Sequence, residues 1–347
     1  CRKALVAGGG TARGLVVNSG NSNAFTGAAG VLKNDATLGA MVSALGVDRE
    51  ACFLAATGVI GEPLPDANYV GSIVPDLAST LDTPDWEACA QAFMTTDTYA
   101  KGAGATCEID GIPVAIAGIA KGSGMIAPNM ATMLAYVFTD AAIAAPLLDE
   151  LIREIAEPTF NSITVDGDTS TSDTLMIFAT GASGAPMITD RADPRLGAFV
   201  IQLLSVCLSL SHQIVRDGEG ATKFVTVTVA GAVSNPSAKA IACSVANSPL
   251  LKTALAAGDA YLGRVVMAVG KCMEPVAQSK LDIHFADVCV AEGGERASSY
   301  DEDEASAVCA RSDIPIHIKV GDGPGAATVY TCDLTHAYVD INGAYRT

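Results

Sequence analysis

The chain has 347 residues and a formal charge of −17 at pH 7, with 21 lysines and arginines against 38 aspartates and glutamates. Because nucleic-acid binding needs clustered basic side chains, this balance excludes nucleic acid as a partner. Half of the residues are hydrophobic and the mean hydropathy is +0.35, which is typical of a globular protein with a substantial core and excludes a disordered chain.

Ten cysteines and four histidines are spread along the chain. No CxxC occurs and no cysteine is paired with a histidine at metal-ligand spacing, so we expect reduced thiols in a cytoplasmic protein and no metal site. The longest apolar run, Leu196 to Val215, approaches the length of a membrane span, but Gln202, Ser205, Ser209, Ser211 and His212 interrupt it. We interpret it as a buried helix and expect no membrane partner.

The first half of the chain alternates short apolar runs with helical patterns. GLVV (14–17) and CFLAAT (52–57) are β-prone runs on either side of a segment that becomes helical near Asp35. Thr83 and Pro84 are predicted to cap and begin the helix that carries Trp86. Asp-Gly at 110–111, between two apolar runs, predicts a β-hairpin. Asp140 is predicted to cap the amphipathic helix that follows it.

The second half continues the mixture. TLMIFATG (174–181) is strand-like, and FVTVTVAG (224–231) alternates with the period of two that indicates a strand. Helical patterns around Ala238 and Leu250 follow, and further strands are predicted at 283–285, 288–290, 314–320 and 327–332. The acidic run 301–304 is interpreted as a solvated helix N-terminus. VDGDTSTSD (165–173) is interpreted as a turn, and YVDI (338–341) as a strand that anchors the tail. Successive hairpins with helices elsewhere favour the α+β class.

The stretch KGSGMIAPNMATML (121–134) places two glycines and a proline directly before an apolar, β-prone run. If the peptide bond between Ala131 and Thr132 is cut, Thr132 becomes a chain N-terminus at the start of a strand. Its hydroxyl then lies beside its own α-amine, whose pKa of about 7.7–8.0 lets it act as a base near neutral pH. The residues alone leave two interpretations open, a nucleophile with its own base or a loop before an ordinary strand.

Several segments together resemble the ornithine acetyltransferase (glutamate N-acetyltransferase) family. KGSGMIAPNMATML is similar to the motif at which the precursors of this family cleave themselves. Further matches follow in the family order along almost the whole chain, namely LVVNSGNSNAFTG, ATGVIGEPLP, MTTDT, ITVDGDTSTSDT, RDGEGATK, SPLLKTA and THAYVDINGAYRT. The resemblance implies the α+β sandwich of this family, layered α/β/β/α and similar in layering to N-terminal nucleophile hydrolases.

The resemblance also implies roles for particular residues. Ala131 and Thr132 match the cleavage site and Thr132 the nucleophile, so residues 1–131 and 132–347 would form two chains. Thr57 and Gly58 match the pair that stabilises the oxyanion. Substrate contacts are implied at Thr95 or its neighbour Thr96, and at Lys121, Thr132, Glu219, Asn342 and Thr347.

The activity that the resemblance implies is acetyl transfer from N2-acetyl-L-ornithine to L-glutamate in arginine biosynthesis, without a cofactor and with the cleaved chains assembled as a heterotetramer. Some family members also use acetyl-CoA as donor. Lys121 suits a substrate carboxylate, whereas Glu219 suits either the ornithine ammonium or the Thr132 amine. Two alternatives stay open, an amidase or aminopeptidase of the related fold in which water takes the acyl group, and an uncleaved homologue without catalysis.

The chain departs from the family pattern in two places. DAYLGR (259–264) stands where the family has DxNWGR, which puts local packing in question and is the main support for the non-catalytic alternative. The family also usually carries several dozen residues upstream of the first match, so we expect an N-terminal segment to be absent from this sequence.

Overall fold

The computed structural model describes residues 1–127 and 133–344. Its helices are α1 (Arg2–Ala7), α2 (Gly27–Leu45), α3 (Tyr69–Ala78), α4 (Trp86–Ala92), α5 (Ala145–Ala156), α6 (Leu196–Arg216), α7 (Asn235–Ala246), α8 (Pro249–Ala257), α9 (Leu262–Gly270), α10 (Glu302–Cys309) and α11 (His336–Ala344). Its strands are β1 (Gly14–Asn18), β2 (Cys52–Ala56), β3 (Lys101–Ile109), β4 (Ile112–Lys121), β5 (Leu134–Thr139), β6 (Thr174–Ala179), β7 (Phe224–Ala232), β8 (Asp282–Phe285), β9 (Val288–Glu292), β10 (Glu295–Arg296), β11 (Asp313–Lys319) and β12 (Gly325–Cys332).

Residues 101–179 contribute the strands of a four-stranded sheet. Its order is β3-β4-β5-β6, with the first three strands antiparallel and β6 parallel to β5. The β3–β4 hairpin turns at Asp110 and Gly111, whose φ angles of 53° and 75° are those of the Asp-Gly turn that suits the twist of a hairpin. The predicted hairpin is confirmed.

Strands β1 and β2 form a separate parallel pair between two other layers. Val16 of β1 packs in the cluster that holds Met41 of α2, and α3 contributes to the same cluster. Val17 and Ala55 pack instead in the cluster that holds Tyr136 of β5. Because alternate residues of a strand point to opposite faces, the pair lies between the α2–α3 layer and the four-stranded sheet.

Helices α5 and α6 cover the other face of the four-stranded sheet, which completes the predicted α/β/β/α layering. By length and composition α6 would suffice to cross a membrane. In this fold its Phe199, Leu203 and Leu210 are at most 1% exposed and belong to the core cluster shared with β4 and β5. The interpretation of this run as a buried helix is therefore confirmed.

The remaining strands form a six-stranded sheet with the order β10-β9-β8-β11-β7-β12, in which β7 and β11 are parallel. Helices α7 to α10 bury their apolar sides against it, with Val245, Leu255 and Val265 fully buried. Phe224 of β7 and Cys332 of β12, which lie opposite each other at one end of these strands, join the core cluster of α6, so the two parts of the molecule share a core.

Two predicted helix caps are wrong. Asp85, not Thr83, caps α4, since its carboxylate accepts the Ala88 N–H at 2.9 Å. The Asp140 carboxylate accepts the Ala115 N–H at 2.8 Å, and α5 begins only at Ala145. The Asp140 carboxylate therefore binds a backbone N–H of the neighbouring strand β4 and does not cap the helix that was predicted to follow it. The acidic run does begin a helix, because Asp301 caps α10.

Two predicted element types or bounds also change. Helix α2 begins at Gly27, eight residues before Asp35, and Thr26 precedes it. The tail segment YVDI is not a strand but part of α11. Val339 is 64% exposed, so the β-prone residues of this tail do not form its contact surface.

Candidate active site

Thr57 and Gly58 form a tight turn directly after β2. The Thr57 N–H donates to the carbonyl of Asn18 at 3.0 Å. Gly58 has a φ of 116°, and a Cβ at this position would lie 2.4 Å from the carbonyl carbon of Gly20, so only glycine fits. Within residues 1–127 and 133–344, no hydrogen bond occupies the Gly58 N–H, which leaves it as a donor for an oxyanion.

Lys33 of α2 lies buried behind this turn. It is 3% exposed, and its Nζ donates to the Oδ1 atoms of Asn18 at 3.1 Å and Asn21 at 3.2 Å. Burial lowers the pKa of Lys33. Since Asn18 accepts the Thr57 N–H and Asn21 pairs with Val59, the lysine holds the turn through its two asparagine partners. The sequence carried no signal for this role.

Lys121 and Thr95, both predicted to bind substrate, lie together. Lys121 is 2% exposed at the end of β4, and its Nζ donates to Oγ1 of Thr95 at 3.3 Å. Oγ1 of Thr96 lies instead 2.5 Å from the Oγ of Ser123. The geometry thus distinguishes the two threonines, because Thr95 faces the lysine and Thr96 ties down the next loop. Burial lowers the pKa of Lys121 to about 8.

The pairing of β4 with β5 brings Lys121 close to the start of the predicted second chain. Lys121 lies opposite Leu134 in this antiparallel register, and Met133, which precedes Leu134, is 1% exposed. Ala131 and Thr132 lie outside the residues that the structure describes, so their roles remain predictions.

Glu219 lies in the turn that follows α6 and is 7% exposed. Its N–H donates to the carbonyl of Ser123 at 2.9 Å, which fastens this turn to the loop after β4. Its carboxylate packs against Gly124, where a Cβ would lie 2.4 Å from each carboxylate oxygen. Nδ2 of Asn342 donates to Oε2 of Glu219 at 2.6 Å, so the structure brings these two predicted substrate contacts together.

Helix α11 brings the carboxyl-terminal part of the chain to this place. Tyr338 and Asn342 are one helical turn apart and therefore share a face. The Tyr338 hydroxyl donates to Oδ2 of Asp166 at 3.3 Å, while Asn342 contacts Glu219. Thr347, the other predicted contact of the tail, lies outside the described residues.

Two aspartates of the loop VDGDTSTSD hold the chain on both sides of residues 128–132. Asp166 accepts the N–H groups of Met125 at 2.7 Å and Ile126 at 3.0 Å, and Asp173 accepts that of Met133 at 3.2 Å. Burial raises the pKa of both carboxyls, to about 8 for Asp173. The interpretation of this loop as a turn left this role out, because the partners are 40 or 41 residues away in sequence.

Side-chain hydroxyls connect these parts into one site. The Oγ of Ser19 donates at 3.0 Å to the carbonyl of Met94, which precedes the threonine pair. The Oγ atoms of Ser22 and Ser172 are 2.9 Å apart and join the segment after β1, which bonds to Val59, to the loop VDGDTSTSD. The site therefore offers a cation for a carboxylate, a carboxylate for an ammonium and a turn amide for a developing oxyanion. In the described part of the chain, no group of three or more His, Cys, Asp or Glu residues is placed to hold a metal ion.

The DAYLGR departure from the family pattern lies on different elements. Ala260 and Val265 are buried in the cluster of the six-stranded sheet. Arg264 donates to the carbonyl of Leu250 and, at 3.2 Å, to Oγ1 of Thr253. No residue with a predicted site role lies on α8 or α9, so the departure changes helix packing and not the groups of the site.

Comparison with known proteins relates the whole chain to one family. A family model described as the ArgJ family matches residues 1–347. A protein of Rhizobium meliloti named "Arginine biosynthesis bifunctional protein ArgJ" is 54% identical over 349 residues, covering 100% of this chain and 84% of the relative. The protein of the same name from Caulobacter vibrioides is 50% identical over 347 residues, covering 100% of this chain and 86% of the relative.

A solved structure agrees with the fold. The crystal structure of arginine biosynthesis bifunctional protein argJ from Bacillus halodurans matches with a TM-score of 0.57 and 35% identity, over 59% of this chain and 96% of that chain. The predicted α+β layered fold is thereby confirmed. Since the family model and the relatives cover the whole chain, the chain belongs to the ArgJ family.

Proposed function

We propose that this chain is a glutamate N-acetyltransferase that moves the acetyl group of N2-acetyl-L-ornithine to L-glutamate in arginine biosynthesis. The observation that carries the proposal is the pair of buried opposite charges, Lys121 at the end of β4 and Glu219, whose N–H donates to the carbonyl of Ser123 in the loop that follows β4. Both substrates carry an α-carboxylate and a nitrogen that is acylated or released. A site with a cation and a carboxylate therefore suits these charged substrates better than it would suit a plain acyl amide. The names of the relatives, which refer to arginine biosynthesis, support the same conclusion.

The first half-reaction acetylates Thr132. Its hydroxyl oxygen attacks the acetyl carbonyl of acetylornithine while its α-amine takes the hydroxyl proton. The oxyanion accepts hydrogen bonds from the Gly58 N–H and the Thr57 hydroxyl. The C–N bond to ornithine then breaks, the ornithine nitrogen takes the proton from the α-amine, and an acetyl ester of Thr132 remains.

The second half-reaction returns Thr132 to its free form. The α-amine of glutamate attacks the ester carbonyl, and its proton passes to the Thr132 oxygen as the ester bond breaks. Lys121 and Thr95 bind the substrate carboxylate in both half-reactions. Glu219, together with Asn342, binds an ammonium group. An acyl-enzyme ester carries the group, so the reaction uses no organic cofactor.

Self-cleavage and assembly complete the proposal. The Thr132 hydroxyl attacks the Ala131 carbonyl, the peptide bond breaks as the Thr132 nitrogen takes the hydroxyl proton, and water hydrolyses the resulting ester to give residues 1–131 and 132–347. The two chains assemble as a heterotetramer. The N–H groups held by Asp166 and Asp173 support cleavage, because they fix the backbone on both sides of the segment that contains the scissile bond. All ten cysteines are free thiols, which supports a reducing compartment such as the cytoplasm.

Glutamate dependence tests this function against the amidase alternative. With acetylornithine alone, we expect a burst of ornithine as Thr132 becomes acetylated and then slow release; glutamate should restore steady turnover. Ornithine release that is equally fast without glutamate would show that water is the acceptor. Offering acetyl-CoA and acetylornithine in turn as donors, with glutamate as acceptor, determines whether acetyl-CoA also serves.

Deletion of the last six residues, 342–347, tests the role of the tail. We expect kcat/KM to fall at least ~10-fold, roughly 1.4 kcal/mol of lost transition-state binding, because Asn342 and Thr347 are removed. The melting temperature should change little, since the deleted residues include no buried apolar side chain among those described. Cleavage should persist, since Tyr338 still reaches Asp166.

Two point variants make the tail experiment specific. Asn342→Ala should reproduce part of the loss, because it removes the hydrogen bond to Glu219. Asp340→Asn, on the exposed side of the same helix, should have wild-type kinetics. A truncated enzyme with wild-type kcat/KM would contradict the assignment of Asn342 and Thr347 to the site.

A further inference from the structure

A buried group of three charges lies behind Lys121 and has no part in the mechanism above. The Nζ of Lys101 is 2.6 Å from Oδ1 of Asp97 and 2.5 Å from Oδ2 of Asp217, and the three side chains are at most 2% exposed. We name it the Asp97–Lys101–Asp217 triad. One lysine between two carboxylates leaves the triad with a net charge of −1.

The triad is fastened to the backbone on both sides of Lys121. Oδ1 of Asp97 accepts the N–H of Gly122, the residue after Lys121, at 2.7 Å. Oδ2 of Asp97 accepts the N–H of Thr95, whose hydroxyl receives the Lys121 hydrogen bond, at 3.0 Å. One carboxylate therefore fixes both the end of β4 and the threonine that faces the lysine.

Asp217 completes the arrangement from the end of α6. Oδ2 of Asp217 accepts the Thr98 N–H at 2.9 Å, and its Oδ1 accepts the Thr98 hydroxyl. Both carboxylates thus have partners at each oxygen, as buried charges require. Such a network is rigid, and its charge is fixed in place.

Lys121 itself is buried without a carboxylate in hydrogen-bond contact among the residues described. Its side-chain hydrogen bond goes to the neutral Thr95 hydroxyl. Burial has the largest influence on the Lys121 pKa and lowers it. Among the charged groups that face Lys121, Asp97, Asp173 and Glu219 raise this pKa and Lys101 lowers it. A buried ammonium is costly unless nearby negative charge compensates it.

We propose that the Asp97–Lys101–Asp217 triad is the counter-charge of Lys121, and keeps this lysine protonated and oriented while leaving its ammonium open to the α-carboxylate of the substrate. A carboxylate in direct contact with the Lys121 ammonium would compete with the substrate carboxylate. The Asp97 carboxylate does not compete, because it binds the backbone N–H of the next residue, Gly122. Asp97, Lys101 and Asp217 are accordingly positioning residues for substrate binding. This inference rests on the proposed function, in which Lys121 binds that carboxylate.

The pH dependence of the KM for glutamate tests the inference. In the wild type, KM should rise as the pH passes through about 8, because deprotonated Lys121 no longer attracts a carboxylate. Asp97→Asn removes a negative charge that raises the Lys121 pKa, and Asp217→Asn leaves the positive charge of Lys101, which lowers it, with one carboxylate fewer. In both variants the Lys121 pKa should therefore fall further. The rise in KM should then move to lower pH by about one unit, which makes KM at pH 8 about fivefold higher than in the wild type. The value of kcat at saturating glutamate should change little.

A matched control separates charge from folding. Asp140 accepts the Ala115 N–H at 2.8 Å near the other end of β4, so Asp140→Asn removes the same charge from a backbone-holding carboxylate far from Lys121. Its KM profile should match the wild type. The titration of the glutamate amine is common to all four proteins and cancels in the comparison.

The outcomes are distinct for the triad and for the proposed function. Active Asp97→Asn and Asp217→Asn enzymes with the wild-type KM profile would overturn the inference, because a purely structural triad has no effect on the Lys121 charge. If one of the two variants does not fold, the other decides by the same comparison with the wild type and Asp140→Asn, because Asp97 and Asp217 belong to one network. Failure of the proposed function is a different result, namely wild-type enzyme that does not acetylate glutamate at any pH.

Discussion

Thr132→Ala is expected to remain a single chain of 347 residues and to lose at least about 10⁴-fold in acetyl transfer, as enzymes do when a catalytic nucleophile is removed. The Thr132 hydroxyl is required twice, first to attack the Ala131 carbonyl and then to accept the acetyl group. Thr132→Ser keeps a hydroxyl and an α-amine, so it should cleave and retain part of the activity. A denaturing gel and mass spectrometry, which should find a wild-type fragment that starts at Thr132, measure the first step.

The control for this variant is Thr253→Ala, an exposed threonine of α8 whose hydroxyl donates to the carbonyls of Pro249 and Leu250 and accepts from Arg264, outside the candidate site. It should cleave and turn over as the wild type does. A purified wild-type protein that stays one intact chain would contradict the cleavage prediction and favour the uncleaved, non-catalytic homologue. Cleavage of Thr132→Ala at the same bond would exclude the threonine as the internal nucleophile.

The parts of the fold that the sequence predicted well depend on local signals. Asp110-Gly111 supplies the backbone angles of a hairpin turn, and the alternation in FVTVTVAG gives β7 its buried and exposed faces. The apolar run from Leu196 has helical length and enough small polar residues to exclude a lipid-facing surface. In each case, neighbouring residues are sufficient to specify the element.

The parts that the sequence predicted wrongly depend on distant partners. The tail is β-prone, yet it forms a helix because Tyr338 and Asn342 reach Asp166 and Glu219, which are 172 and 123 residues away. Asp140 resembles a helix cap, but an N–H across the β4–β5 pairing is a nearer partner. Competition of this kind is decided by tertiary structure and cannot be read from adjacent residues.

The site shows the same division. Motif resemblance identified Thr95 or Thr96 as a contact, and only the position of Lys121 distinguishes them. Lys33 and Asp97 were not identified as functional groups at all, because a lysine in a helix and an aspartate in a loop are ordinary in sequence. Their importance follows from burial and from the groups that they hold, the asparagine side chains of the turn for Lys33 and backbone N–H groups for Asp97.

The second large effect is expected for Gly58→Ala, with kcat reduced by ~10²–10³-fold, the usual result of losing one oxyanion donor. At a φ of 116° an alanine is strained, and its Cβ would lie 2.4 Å from the Gly20 carbonyl carbon and 2.7 Å from the Asn21 nitrogen. Those atoms are backbone held by Lys33 through Asn21, so the turn must shift and the Gly58 N–H with it. Self-cleavage should slow in parallel, since both reactions form an oxyanion at this turn.

The KM for glutamate should change much less than kcat in Gly58→Ala, because Lys121 and Thr95 lie on other elements and keep their contact. The matched control is Gly39→Ala on the exposed side of α2, where an added Cβ meets no atom within 4 Å. Alanine there should stabilise the helix by roughly 0.5–1 kcal/mol and leave both reactions unchanged. Stopped time courses of cleavage and steady-state kinetics on the cleaved enzyme measure the two effects separately. A Gly58→Ala enzyme with wild-type kcat would show that this turn does not bind the oxyanion, whereas slow cleavage and slow transfer together would show that one turn serves both steps.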